Sequence, residues 1–116
     1  MKLPRTVSLE PMAVGSLQQI IGIMTDHMWT PDYAGQWDLE HIIELEERIS
    51  EGASGDPVTL GIDDVALLLE GMAFTEIMSM EFPWIDMVRW ASDFVTAELR
   101  QYWTDEEWRE YVGRDV

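Results

Sequence analysis

The chain has 116 residues, 47% of them hydrophobic, with six Trp and eight Met, and its 23 Asp and Glu against seven Lys and Arg leave a net charge of −16. So many large apolar side chains exclude a disordered acidic tail, and a field of this sign repels nucleic acid and anionic membrane while attracting basic partners. The absence of cysteine excludes disulfides, a thiolate metal site and a thiol nucleophile.

A chain of this length fits a single globular domain over residues 1–116, which can bury roughly 65% of its unfolded surface. The first ten residues, MKLPRTVSLE, hold no long apolar run, so no signal peptide is expected. Nowhere do 18 apolar residues follow one another, so no membrane span is expected, and a cytoplasmic location is the default.

In chain order, the first helix is expected over about 12–28, with Val14, Leu17, Ile21, Met24 and Met28 forming its apolar seam. WTPDYAGQW (29–37) reads as a loop. The second helix is expected over about 38–50, with Asp38 as N-cap and Leu39, Ile42, Ile43 and Ile49 on one face. SEGASGDP (50–57) reads as another loop. Two stretches run alike, TVSLEPMAVGSLQQIIGIM (6–24) and PVTLGIDDVALLLEGM (57–72): a β-branched residue, a hydroxyl, a leucine, a break and then an amphipathic helix. That suggests a strand–turn–helix unit used twice, with Val7–Leu9 pairing with Val58–Leu60.

The third helix is expected over about 63–80, starting at Asp63 or Asp64 and burying Val65, Leu68, Leu69, Met72, Ala73 and Ile77. Its Met-rich part, GMAFTEIMSMEF, reads as adaptable core. Pro83 suits the first turn of a fourth helix over about 83–103, which buries Trp84, Met87, Val88, Ala91, Phe94, Val95 and Tyr102. Thr104 with Glu107 three residues on is a capping box, so a short fifth helix runs to about Tyr111, where Gly113 ends it. The expected fold is mainly α: a compact bundle of four main helices plus a short C-terminal helix, with a minor two-stranded β element.

Few residues point to catalysis. Glu46, Glu76 and Glu98 fall on apolar faces, where a lone buried carboxylate costs several kcal/mol and needs a partner. A di-iron helical bundle wants Glu-x-x-His pairs, and this chain has none; its nearest string, His41-Ile42-Ile43-Glu44, is reversed and is assigned to the solvent side. Glu44-x-x-Glu47 is half of the magnesium-holding pattern of all-helical nucleotide pyrophosphatases, but no glutamate here is followed three residues on by the Asp that the second half needs. His27, beside Met28 and Trp29 at a helix end, reads as structural. Nucleophile elbows and phosphate loops are absent. No catalytic, cofactor-binding or metal residue is assigned, and no enzyme is expected.

The charge is better organised. On the second helix Glu40, Glu44, Glu47 and Glu51 share one stripe, and such like-charged neighbours repel by a few tenths of a kcal/mol per pair. Only Arg48 answers them. The C-terminal piece mixes Trp103 and Trp108 with Asp105 and Glu106, either a cap on the core or an aromatic patch with an acidic rim, as in an interface hot spot. Small, acidic, cysteine-free helical proteins of this kind resemble, as a class, the phage and mobile-element inhibitors of host enzymes, anti-restriction and anti-CRISPR proteins among them. That likeness implies a DNA mimic or other inhibitor that blocks a basic, nucleic-acid-handling host enzyme. The partner-binding residues would be Glu40, Glu44, Glu47, Glu51, Trp103, Asp105, Glu106 and Trp108, with no direct contact to nucleic acid or membrane. The alternatives are a homo-oligomeric structural or assembly protein, a homodimer at its simplest, whose acidity serves solubility, and a carboxylate-metal enzyme built on Glu46, Glu76 and Glu98.

Overall fold

Pro11 opens helix α1 (Pro11–Met28) in the computed structural model, which describes residues 1–113. Its missing N–H falls where a helix has no use for one. The expected seam is buried at Val14, Leu17, Ile21 and Met24, and Ala13 and Ile20 join it. The loop that follows is tied by Tyr33, whose hydroxyl donates to the Trp37 carbonyl and accepts the Trp37 amide at 2.8 Å. Asp38 then caps α2 (Leu39–Glu51), its carboxylate accepting the Glu40 amide at 3.1 Å. The buried stripe of α2 is Ile42, Leu45 and Ile49, spaced i, i+3, i+7, so Leu39 and Ile43 fall off its edge and are exposed, contrary to expectation.

A 3₁₀ turn (Gly52–Ser54) and Gly55, at φ +87°, lead into strand β2 (Val58–Leu60). Its antiparallel partner β1 is Arg5–Val7, paired Arg5 to Leu60, Thr6 to Thr59 and Val7 to Val58. The two-stranded element is therefore present, but its N-terminal strand lies two residues earlier than the expected Val7–Leu9. This register buries Val7, Val58 and Leu60. Ser8 is then free to bond Tyr102: its amide donates to the phenol oxygen at 3.1 Å, and the phenol donates to its carbonyl at 3.3 Å. Each strand leads into a helix, β1 into α1 and β2 into α3 (Ile62–Ser79), as the paired stretches suggested.

Helix α3 is apolar nearly all round, which suits a helix packed on several sides; α1, α4 and α5 all contact it. A Cβ on Gly71 would sit 2.3 Å from the Met24 sulfur and 2.9 Å from Ile20 Cγ2, so glycine sets how closely α1 and α3 approach. The Ser79–Ile85 turn reverses the chain into α4 (Ile85–Arg100), shorter than expected at both ends. Thr104 and Glu107 form the expected capping box of α5 (Asp105–Val112), and Gly113, at φ +72°, closes it. One buried hydrophobic cluster runs from Val7 to Trp108 through every helix. Among the described residues, no helix is long and apolar enough to cross a membrane.

Candidate interaction surface

The four glutamates of α2 stand as a row: Glu40, Glu44, Glu47 and Glu51 are all exposed. Among the described residues, none of the four lies within ion-pair distance of a cation. The arginine that was to answer them is committed elsewhere. Arg48 donates to Asp64 Oδ2 at 2.6 Å and Oδ1 at 3.0 Å, and to the Thr59 carbonyl at 3.1 Å.

Asp64, which the sequence reading used only as a helix start, is the polar hub of the fold. It is 1% exposed. Beyond Arg48, it accepts the Gly61 amide at 2.8 Å, a reach back across the first turn of α3, and sits 2.6 Å from His41 Nε2. Burial alone would raise its carboxyl; the Arg48 guanidinium, the Gly61 amide and His41 together outweigh that and hold it below the usual carboxylate range. His41 is thus half-buried and turned inward, not on the solvent side as expected. One sequence signal did point here: Asp63-Asp64 at a helix start, with a lone arginine on the preceding helix. His41, Asp63 and Asp64 place their ligand atoms within 4.8 Å of one another. Asp64 is already occupied by Arg48, however, and Asp63 accepts the Lys2 amide at 2.9 Å, so the cluster is an internal brace.

The other singled-out groups resolve simply. His27 packs among Phe74, Tyr33 and Trp37, its ring centroid 4.5 Å from that of Phe74. Glu46 is exposed, Glu76 pairs with Arg89 at 3.1 Å, and Glu98 is half-buried. Among the described residues these three glutamates do not come together in one ligating group.

On α5, Asp105 accepts from Arg100 at 2.7 Å, while Glu106 is exposed and has no ion-pair partner among the described residues. Glu107 pairs with Arg5 at 2.8 Å, and the Thr104 amide, ahead of Arg5, holds its carboxyl below the usual range. Trp103 and Trp108 are 4% and 0% exposed. Trp103 donates to the Leu3 carbonyl at 2.9 Å, and Arg100 lies over the Trp108 ring at 4.9 Å. The fifth helix caps the core, so neither ring offers a face to a partner. This corrects their placement as anchors.

The exposed aromatic surface lies at the opposite end of the bundle. Ile77, Met78, Met80, Phe82, Trp84, Met87 and Trp90, from the end of α3 to the middle of α4, are all exposed. Trp84 is 50% exposed, Trp90 55% and Met87 71%. Phe82 stacks on Trp84 at 4.5 Å between centroids, and Trp90 on Phe94 at 5.6 Å. The Met-rich stretch expected to be core is therefore partly surface, as are Trp84 and Met87. The reason is topological: α4 covers one side of α3, and no described element covers the hairpin's outer face. Beside it a groove of about 390 Å³ runs between α1 and α4, with α3 at its base. The signal that could have found this surface is IMSMEFPW, five large apolar residues around a helix break that prevents them from sharing one buried stripe.

No family model, no curated protein and no solved structure matches this chain.

Proposed function

We propose that the protein is a non-catalytic binding protein that docks on a basic, nucleic-acid-handling protein and blocks it. The apolar face of the α3–α4 hairpin serves as anchor, and the carboxylate surface selects the partner. The observation that carries this reading is the hairpin face itself, seven large apolar side chains exposed together on a chain of net charge −16. Contiguous exposed apolar surface is rare on soluble monomers and marks contact sites, and Trp and Met are enriched in interface cores. The unneutralised row on α2 supplies a long-range field that speeds encounter with a basic partner. Its carboxylates recur every ~5.5 Å along the helix axis, sparser than the ~3.4 Å axial spacing of charges on one DNA strand. Selection by field suits that spacing better than imitation of a duplex atom for atom.

The test is capture on the immobilised protein from candidate host lysate at about 0.1 M and then about 0.5 M salt, which shortens the screening length from ~10 Å towards ~4 Å. One basic nucleic-acid-binding protein should persist at the higher salt and be displaced by duplex DNA. With that protein purified, reversing Glu40, Glu44, Glu47 and Glu51 to lysine should weaken binding by about tenfold or more. A salt-labile crowd, or an affinity within about twofold after reversal, would sink the reading.

The same apolar face supports a second reading, self-assembly into a homo-oligomer. Against it stands the repulsion between copies each carrying −16. Light scattering that finds a strict monomer at high concentration would exclude it.

A further inference from the structure

The groove between α1 and α4 has an uncharged lining. Charged residues make up 26% of the chain, yet among the described residues none lines this groove. Asp86, Arg89 and Asp93, all on α4, stand outside it. Ile20 and Ile23 of α1 line one side, and Trp84, Met87 and Ala91 line the other. The rings on that second side are held flat by parallel neighbours: Trp84 lies 5° from the plane of Phe82, and Trp90 lies 9° from that of Phe94.

The floor is α3, where two hydroxyls follow one another by a turn. Thr75 and Ser79 are 7% and 6% exposed. Thr75 turns its hydroxyl back on its own helix and donates to the Gly71 carbonyl at 2.8 Å, a common way for a helix to satisfy such a group. Ser79 makes no such bond; it lines the groove with its hydroxyl unpartnered among the described residues. The fully enclosed side-chain donor without a partner is the Trp108 ring N–H, so the Ser79 hydroxyl keeps a path outward, and the groove provides it. For the fold alone, alanine would serve better at this position, since it has the higher helix propensity and strands no donor.

From the uncharged lining, the flat rings and this buried hydroxyl, we infer that the groove binds a small, neutral, flat apolar molecule carrying one hydrogen-bond acceptor, a carbonyl or a ring nitrogen. Its body lies between the isoleucines and the indoles, where offset stacking suits a flat ring. Its acceptor takes the Ser79 hydrogen. An occupant without an acceptor would exclude water from that hydroxyl and leave the donor unmet. An ionised occupant would lose hydration and find no counter-charge in the lining, and an anion would also meet the field of a chain at −16. The space, about 390 Å³, lies within the range usual for small-molecule sites. Such a site stands apart from the binding reading above, which rests on the hairpin's outer face and the α2 carboxylates.

Four naphthalenes substituted at the same ring position test it, titrated onto the full chain and followed by amide chemical shifts, which give affinity and location together. They are methyl naphthyl ketone, ethylnaphthalene without an acceptor, the anion naphthoate and the cation naphthyltrimethylammonium. The ketone should shift the amides of Ile23, Ser79 and Met87. It should bind about fivefold or more tightly than ethylnaphthalene, the worth of one hydrogen bond, with both ions weaker still. Ser79→Ala should erase the difference between ketone and hydrocarbon, keep the hydrocarbon's affinity within about twofold, and leave the melting temperature unchanged or higher. Ala91→Trp, which fills the groove, should weaken both neutral probes by about tenfold. Absence of binding, equal affinity of ketone and hydrocarbon, a preference that survives Ser79→Ala, tighter binding of either ion, or shifts centred away from the groove would overturn the inference. So would a steep fall in the melting temperature of Ser79→Ala, because the hydroxyl would then serve the fold. A dimer in sedimentation that Ala91→Trp dissolves would overturn it too, since the occupant would be a second copy. None of these outcomes bears on capture of a basic protein from lysate, so the two readings fail separately.

Discussion

The two ends of α3 carry similar numbers of aromatic neighbours and treat them in opposite ways. At its N-terminal end, Trp103 and Trp108 are enclosed, one bonded through its ring N–H to Leu3 and the other beneath Arg100. The β ribbon, the first residues of the chain and α5 all converge there, and the Lys2 carbonyl accepts the Ile62 amide at 2.8 Å. At its C-terminal end, the turn into α4 leaves Phe82, Trp84 and Trp90 facing outward. What separates the ends is cover. The closed end has several chain segments crossing it and a buried carboxylate to organise them. The open end has one hairpin and no described element over its outer face. Aromatic content alone therefore says little about role.

The contrast can be broken most directly by truncating one ring at each end. Trp108→Ala should cost about 3–5 kcal/mol, the usual range for emptying a large buried site. Trp90→Ala should stay within about 0.5 kcal/mol, as exposed substitutions do. Urea denaturation of the two variants decides it; comparable losses would mean that the hairpin is part of the stabilising core and not a docking face.

A smaller effect sharpens the account of the closed end. Asp64→Asn leaves the half-buried Arg48 without its carboxylate and should cost about 2–3 kcal/mol near neutral pH. The sign of its pH dependence follows from the lowered carboxyl. A group held below its ordinary value adds stability that is present above the ordinary value, near 4, and is lost as pH falls through the folded one. The gap in melting temperature between the native chain and Asp64→Asn should accordingly narrow as pH drops below about 4. That difference isolates Asp64 from the relief of general carboxylate repulsion, which acts the other way in both proteins. A gap independent of pH would mean that shape, not charge, holds this end.

The smallest expected effect concerns how α5 is held over the closed end. Thr104→Ala removes the acceptor of the Glu107 amide, 3.1 Å away, and should cost about 1 kcal/mol. Faster hydrogen exchange confined to α5 would locate the loss. Exchange spread evenly through α3 would instead mean that α5 and the core open as one unit.

Much of this architecture was legible from local chemistry. Asp38 and Thr104 start helices because a short oxygen-bearing side chain can satisfy an otherwise unpaired amide, and that need is the same in any fold. Gly113 ends α5 for an equally local reason, since its positive φ disfavours a side chain. The seam of α1 followed from 3.6-residue periodicity. The register of the β ribbon was less accessible: the likeness of the two stretches suggested that they pair but gave neither direction nor register, and the antiparallel ladder that sets Val7 opposite Val58 runs back to Arg5 instead of on to Leu9.

The surface was harder to read, because burial depends on what crosses a residue from elsewhere in the chain. His41 and Arg48 lie seven residues apart on a helix full of glutamates, and nothing local turns both towards Asp64 of another helix. Trp84, Met87 and Trp90 have the periodicity of a buried face and yet are exposed, because periodicity shows that residues share a side without showing that anything lies over it. The sequence by itself determined the capped starts of α2 and α5, the α-rich fold and the acidic character, since those follow from hydrogen-bonding needs and charges carried by each short segment. Only the tertiary structure decided which tryptophans are core and which are surface, which aspartate is buried, and where an apolar groove opens, since each depends on segments distant in sequence meeting, or failing to meet, in space.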